Sequence, residues 1–358
     1  MNTKQPIRVL VVGCGHMGKS HAKAYQKLDG FEIVGVVSRT SSSRETMFKE
    51  LGEVWPGFDS YEAALAELQP DAVSINTFPD THAAYAIAAM KAGAHVFLEK
   101  PVAETVAEAE EVIRVAQETK RTLTIGYILR VHPSWTEFVN QAKQLGKPLV
   151  MRMNLNQQSH GDNWQTHKNI MSSLPPMVDC GVHYVDVMCQ MAQSRPVRVS
   201  AIQAKLSSEV GDQCNYGQMQ IVFEDGSVGW YEAGWGPMMS KTAHFVKDVV
   251  GPYGSVSIAA EDGKGAESDD VDSHTRTESL LVHRAELNES GEFAEPDRTI
   301  NLEDEPGHDD LCLREQELFL RAIRGEVDMS QHLEDALNSL RIVLAAQAAA
   351  EQGKCIEL

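Results

Sequence analysis

The stretch that most constrains this chain is RVLVVGCGHMGKSHAKAY, Arg8 to Tyr25. Arg8–Val12 is a short apolar, β-branched run, the pattern of a strand covered on both faces. Glycines follow at 13, 15 and 18, and KSHAKAYQKL continues at helical period. Strand, Gly-x-Gly-x-x-Gly and helix in direct succession form a dinucleotide fingerprint, in which each glycine has a physical task. Gly13 permits the tight turn out of the strand, Gly15 lets backbone approach a pyrophosphate, and Gly18 lets the helix pack closely on the sheet. The helix N-terminus offers unpaired N–H groups and a partial positive charge to the phosphates. The turn from Gly13 to Gly18, with His16 and Met17 inside it, is therefore assigned to cofactor binding.

The second strand is FEIVGVVS, Phe31–Ser38. An NAD site usually places a carboxylate near the end of this strand for the ribose hydroxyls. Here the chain reads SRTSSSR, with no carboxylate. Ser38 and Arg39 suit a 2′-phosphate, with Thr40, Ser41 and Arg44 placed to assist, and Arg44 is counted with the cofactor-binding residues. NADP(H) is the favoured cofactor, with NAD(H) or use of both left open.

Further on, SYEAALAEL (Ser60 as N-cap), THAAYAIAAMKAG and ETVAEAEEVIRVAQETK read as helices alternating with the strands DAVSINTF, HVFLEK and TLTIGYI. This rhythm predicts a parallel sheet with helices on both faces and ligands beyond the carboxyl ends of its strands. Asn76, Thr77 and His82 follow one strand end and are candidates to line the cofactor. Glu99-Lys100-Pro101 ends another. A lysine where a buried strand meets a ligand crevice is unusual, because ammonium groups resist desolvation. Glu99 and Lys100 are both placed at the cofactor.

GCGHMG, NTFPDTHAAYAIAAMKAGAHVFLEKPVAETVAEAEEV and GYILRVHP together resemble the Gfo/Idh/MocA family of oxidoreductases. The resemblance implies an N-terminal doubly wound Rossmann domain, taken as residues 1–127. It also implies a second α/β domain, 128–358, with a large, mostly antiparallel open sheet that carries substrate and oligomer contacts. The last helices are allowed to pack back on the first domain. It places Lys100 in the active site. It covers nearly the whole chain and weakens over about 155–176 and 260–300.

In MVDCGVHYVDVMCQM, Asp179, His183 and Asp186 stand at i, i+4 and i+7, one face of a single helix. The family pattern D-x-G-x-H-x-x-D falls on them and makes Asp179 and His183 catalytic candidates beside Lys100, with Asp186 as much structural as catalytic. His183 is the expected base, since imidazole titrates near neutral pH. Lys100 would hold the substrate oxygen, and Asp179 would fix orientation. NQQSHGDNWQTHKN, Asn156–Asn169, is rich in amide, imidazole and indole groups. It reads either as a polar surface loop or as a lining for a polyhydroxylated ligand, with Trp164, His167 and Lys168 as substrate contacts. KPLVMRMNLNQ, VRVSAIQAKL, YGQMQIVFEDGSVGWYEAGW and GSVSI alternate as antiparallel strands, with a turn at EDGS. The acidic stretch around His274 reads as an exposed loop with a solvated histidine. Two helices close the chain, about Asp309–Gly325 and Ser330–Lys354, with Ser330 as an N-cap.

The expected activity is hydride transfer between a nicotinamide and a carbinol or carbonyl carbon of a sugar, polyol or related substrate. The alternatives are a redox-neutral nicotinamide enzyme acting on glycosides and a non-catalytic dinucleotide- or ligand-binding protein. A formal net charge of −19 disfavours nucleic acid and anionic lipid. The six cysteines form no CxxC pair and no zinc spacing, so reduced, buried thiols in a cytoplasmic protein are expected, and no metal site. No signal peptide is read at the N-terminus, and no run approaches the roughly 18 apolar residues of a membrane span. A homo-oligomer, dimer or tetramer, is expected because an open sheet face needs covering.

Overall fold

The computed structural model describes residues 5–172, 174–240, 246–259, 275, 277–302 and 305–358. The chain opens with β1 (Ile7–Val12), α1 (His16–Lys27), β2 (Phe31–Val37), α2 (Ser41–Leu51), β3 (Gly57–Phe58) and α3 (Tyr61–Leu68). It continues through β4 (Ala72–Ile75), α4 (Pro79–Lys91), β5 (His95–Glu99), α5 (Val106–Thr119), β6 (Leu123–Gly126) and α6 (Pro133–Lys143). Then come β7 (Val150–Gln158), α7 (Gly161–Met171), α8 (Pro176–Asp179), α9 (Gly181–Ala192), β8 (Pro196–Ala204), β9 (Tyr216–Phe223) and β10 (Val228–Gly236). The remainder is β11 (Lys247–Gly251), β12 (Gly254–Ala259), β13 (Ser279–Arg284), β14 (Arg298–Asn301), α10 (His308–Ile323), α11 (Ser330–Gln352) and β15 (Ile356–Glu357).

The residues cluster into two compact units, 1–131 with 306–337, and 132–305 with 338–358. The first holds a six-stranded sheet in the order β3-β2-β1-β4-β5-β6, every ladder parallel. This is the doubly wound dinucleotide-binding order, whose direction reverses between β1 and β4 and opens a crevice at their carboxyl ends. The apolar runs sit where a two-sided sheet needs them: Val9–Val12 and Ala72–Ile75 are buried throughout. Val9, Val11, Phe31 and Phe97 meet Ala22 and Tyr25 of α1 and Phe319 of α10 in one core. The Phe319 ring stacks on Phe31 at 5.9 Å. Local signals set the helix starts. Ser60 accepts from Ala63 N at 3.2 Å, and Thr105 with Glu108 forms a reciprocal capping box.

The second unit holds a nine-stranded sheet in the order β14-β13-β12-β11-β7-β10-β9-β8-β15. All its ladders are antiparallel except β7 with β10, which run parallel from Val150↔Val228 to Gln158↔Gly236. The EDGS turn joins β9 to β10, with Gly226 at φ +84° and Ser227 N donating to Asp225 Oδ1. α6 and α9 cover one face. Tyr184 of α9 stacks on Tyr231 of β10 at 5.1 Å and meets the edge of Trp135 from α6. By register, Val150, Ile202, Val228, Val250 and Leu281 all lie on the opposite face, and all are exposed.

Three local expectations change. Asn156–Asn169 is no loop: β7 runs to Gln158 and α7 begins at Gly161. The segment holding Asp179, His183 and Asp186 is two helices, because Cys180 lies between α8 and α9 and His183 N bonds back only three residues, to Cys180 O. Ser330 is the first residue of α11, not its cap, and its hydroxyl donates to Asp328 Oδ1 at 2.7 Å. Of the cysteines, 14, 189 and 312 are buried, whereas Cys355 is exposed. His274 lies outside the described residues. Among those residues, no helix is long and apolar enough to cross a membrane.

Candidate active site

The three glycines after β1 divide by what a side chain would meet. Gly13 sits at φ +98°, and a Cβ there would lie 2.5 Å from the Asn76 carbonyl oxygen. A Cβ on Gly18 would lie 1.9 Å from the Gly13 carbonyl oxygen. These two hold α1 against the sheet. Gly15, by contrast, has ordinary extended backbone and nothing within 4 Å of its Cβ position. It caps α1 without any side-chain hydrogen bond to the helix's first N–H groups. An open backbone at an uncapped helix N-terminus is the shape a pyrophosphate fills, so the residues present fit a dinucleotide.

At the end of β2, Arg39 is exposed and Ser38 half-buried. Arg44, expected at the cofactor, binds backbone through its Nη1. Its guanidinium donates to the Ser38 carbonyl and, at 3.0 Å, to Phe58 O. That ties the end of β2 to β3. Thr40 caps α2 by accepting from Ser43 N at 3.3 Å.

The polar groups at the ends of β4 and β5 have partners within the fold. Asn76 Nδ2 donates to Val12 O at 3.3 Å and Ser74 O at 3.1 Å, so its amide binds β1 to β4. Thr77, half-buried, shares a 2.6 Å hydrogen bond with the Thr81 hydroxyl. His82 is fully buried, with Nδ1 at 2.7 Å from Pro101 O and Nε2 at 3.0 Å from Thr77 O. It bridges two loops. Glu99 also turns inward. His21 Nε2 donates to Glu99 Oε1 at 2.7 Å, while Gln316 Nε2 donates to His21 Nδ1 at 2.9 Å. Glu99 Oε2 accepts from Lys100 N at 3.2 Å. Burial works against the Glu99 carboxylate, but the hydrogen bond from His21, with the charge of Lys100, holds its pKa below the usual value. A chain of contacts from α10 through α1 thus fixes the backbone that carries Lys100. Lys100 itself is half-buried and precedes a cis peptide to Pro101. Gly13, Gly15, His16, Met17, Ser38, Arg39, Thr77 and Lys100 remain at least partly exposed.

In the second unit, Asp179 ends α8 and His183 lies in the first turn of α9, both half-buried, while Asp186 is fully buried and accepts from Gln190. Trp164 and Lys168, expected to touch substrate, both engage Glu209. Trp164 Nε1 and Lys168 Nζ donate to its carboxylate at 3.3 and 2.8 Å, and the indole is buried with Met171, Val210 and Trp235. His167 takes another position. Its ring stacks on Trp235 at 4.3 Å, and Nδ1 lies 3.0 Å from Ser159 Oγ. Burial lowers its pKa to about 4, against the opposing charge of Asp179. His167 is therefore neutral near pH 7 and sits within the electrostatic reach of Asp179.

The N-terminal residues 7–127 match the model of the Gfo/Idh/MocA oxidoreductase family, NAD-binding Rossmann fold. Residues 137–358 match that family's C-terminal α/β domain. The chain belongs to the Gfo/Idh/MocA family. It is an oxidoreductase with an NAD-binding Rossmann domain. It is 28% identical over 232 residues to the 4-carboxy-2-hydroxymuconate-6-semialdehyde dehydrogenase of Sphingobium, covering 62% of this chain and 70% of that protein. It is 27% identical to the scyllo-inositol 2-dehydrogenase (NAD(+)) of Bacillus subtilis, covering 83% and 91%. Among solved structures, scyllo-inositol dehydrogenase of Lactobacillus casei, with NAD(H) and scyllo-inositol bound, superposes with a TM-score of 0.77. That match has 20% identity and covers 98% and 99% of the two chains, a likeness of fold.

Sequence reading missed His21, Gln316, Ser159 and Trp235 in this Gfo/Idh/MocA chain. The first two are 295 positions apart, and no local spacing reveals such a pair. The buried histidines have a measurable consequence. Burial depresses the pKa of His82, His167 and His332 in the folded state. A depressed histidine contributes stability that is full above its unfolded pKa, near 6.5, and lost as pH falls toward the folded value. For His167 the loss between pH 6.5 and 5 is about 2 kcal/mol. Urea unfolding at pH 7 and pH 5 should show it, and His167→Gln should shrink the difference by about that amount. An unchanged difference would refute the buried neutral imidazole.

Proposed function

We propose that this oxidoreductase transfers hydride between a nicotinamide and a secondary carbinol or carbonyl carbon of a cyclitol, sugar or related polyhydroxylated substrate. The observation that carries the reading is Lys100: a half-buried lysine at the carboxyl end of β5, its backbone anchored through Glu99 and His21, on the sheet edge where the glycine turn opens. The nicotinamide, when bound, supplies the hydride acceptor. Lys100 Nζ holds the substrate oxygen and offsets negative charge as the hydroxyl loses its proton. His183 takes that proton as general base. Asp179 accepts a hydrogen bond from a neighbouring hydroxyl, and His167 with the Trp235 face supplies a polar and an aromatic contact. The scyllo-inositol 2-dehydrogenase among its relatives supports the substrate class. A panel of inositols, aldoses and sugar acids, read as nicotinamide reduction, tests it. Turnover confined to one polyhydroxylated class is expected, and turnover on simple alcohols alone would refute it.

For the cofactor we favour NADP(H), on the missing carboxylate after β2 and on Ser38 and Arg39 there. Arg39→Ala should weaken NADPH binding about tenfold, the loss of one charge-assisted contact, and leave NADH unchanged. Equal weakening of both would overturn the 2′-phosphate role.

We also propose a homo-oligomer that covers the apolar face of the large sheet, where Ile202 is 62% exposed. Sedimentation equilibrium should show a dimer or larger, dissociated by Ile202→Asp with Val228→Asp. A monomeric parent protein would refute it.

A further inference from the structure

Within the first unit, α1 and α10 bring together three side chains, of which only His21 enters the account above, as the anchor of Glu99. His21, Cys312 and Glu315 are all buried, and one ligating atom from each lies within 4.8 Å of the others. Cys312 and Glu315 stand three apart on α10 and so share a face. Glu315 is the anomaly of the set. It is 3% exposed, and among the described residues neither carboxylate oxygen has a hydrogen-bond partner. A carboxylate so placed is costly unless a cation meets it. The amide oxygen of the adjacent Gln316, fully buried, also lacks a hydrogen-bond partner among the described residues.

We propose that His21, Cys312 and Glu315 form a structural site for one divalent transition-metal ion of the zinc type, joining α10 to α1. Thiolate, imidazole and carboxylate are a donor set suited to zinc, whose bonds of about 2.0–2.3 Å space tetrahedral donors by roughly 3.3–3.8 Å. The observed cluster closes to that spacing by a contraction of about one ångström. The surroundings are already those of a metal-bound histidine. Glu99 takes the Nε2–H of His21 at 2.7 Å, which fixes the tautomer and leaves Nδ1, now facing the Gln316 amide, as the ligating nitrogen. The Gln316 carbonyl oxygen is the candidate for a fourth position. Charge also balances. On binding, the Cys312 thiol and the Glu315 carboxyl each release a proton, and the two resulting anions neutralise the ion. Without the ion, burial and the charge of Glu99 favour a protonated Glu315.

The site is independent of the substrate reading and is tested without turnover. The full chain, dialysed against Zn2+ and then against metal-free buffer, should retain about one ion per chain by plasma mass spectrometry. Retention should fall to background in Cys312→Ser and in Glu315→Gln, and persist in Cys355→Ser, which alters an exposed thiol. With Co2+, the parent protein and Cys355→Ser should both show a thiolate-to-cobalt charge-transfer band. Absence of that band, or metal retention indifferent to both α10 substitutions, overturns the proposal. If neither α10 variant folds, the cobalt spectra of the parent and Cys355→Ser decide alone.

Discussion

Lys100→Ala is expected to lower kcat by about 10²- to 10⁴-fold, the range for removing a group that stabilises developing charge or shares in proton transfer. Its melting temperature and dinucleotide affinity should stay at the parent's. The reason is local. The Lys100 backbone is held by its N–H on Glu99 Oε2, and Glu99 by His21. Trimming the side chain removes the ammonium and leaves that scaffold in place. Lys100→Arg should not rescue, because guanidinium stays protonated and its planar fork cannot replace a compact ammonium. Steady-state kinetics with a dinucleotide titration check this, and near-parental turnover in Lys100→Ala would remove Lys100 from the mechanism.

The second large effect separates two glycines of one motif. Gly18→Ala places a methyl 1.9 Å from a backbone oxygen, so the α1–sheet contact must open, at a cost of about 3 kcal/mol or more. Gly15→Ala meets nothing within 4 Å on a backbone that alanine adopts without strain. It should leave the melting temperature within a few degrees while weakening dinucleotide binding about tenfold or more, because the methyl occupies the approach of the pyrophosphate. Thermal melts and fluorescence titration of both variants check the contrast. If Gly15→Ala bound dinucleotide as the parent does, the open turn would not be the phosphate site.

The two variants also mark how far sequence alone reaches. The doubly wound domain was legible because its signals are local: a buried run, three glycines at fixed offsets, Ser60 as a cap. The large sheet was legible in its alternation. α7 was not, because it opens on Gly161, Asp162 and Asn163, poor helix formers, and buries only Trp164 and Met171, two full turns apart. The single helix expected across Asp179 and His183 divides at Cys180, a break of hydrogen bonding that spacing cannot show. Arg44, Asn76, His82 and Glu99 were rightly noticed as polar groups at strand ends. The side each faces depends on partners brought near by folding: Phe58 for Arg44, Val12 for Asn76, Pro101 for His82, and His21 for Glu99. Residue type and position predicted a polar edge, and only the packed structure shows which partners each group takes within the fold.

The most direct test of the central claim follows the hydrogen itself. A cyclitol or sugar turned over by the protein would be deuterated at the reacting carbinol carbon and incubated with oxidised dinucleotide. The result expected is deuterium at nicotinamide C4, transferred directly and abolished in Lys100→Ala. Deuterium appearing in solvent water, with none on the nicotinamide, would contradict hydride transfer and the function built on it.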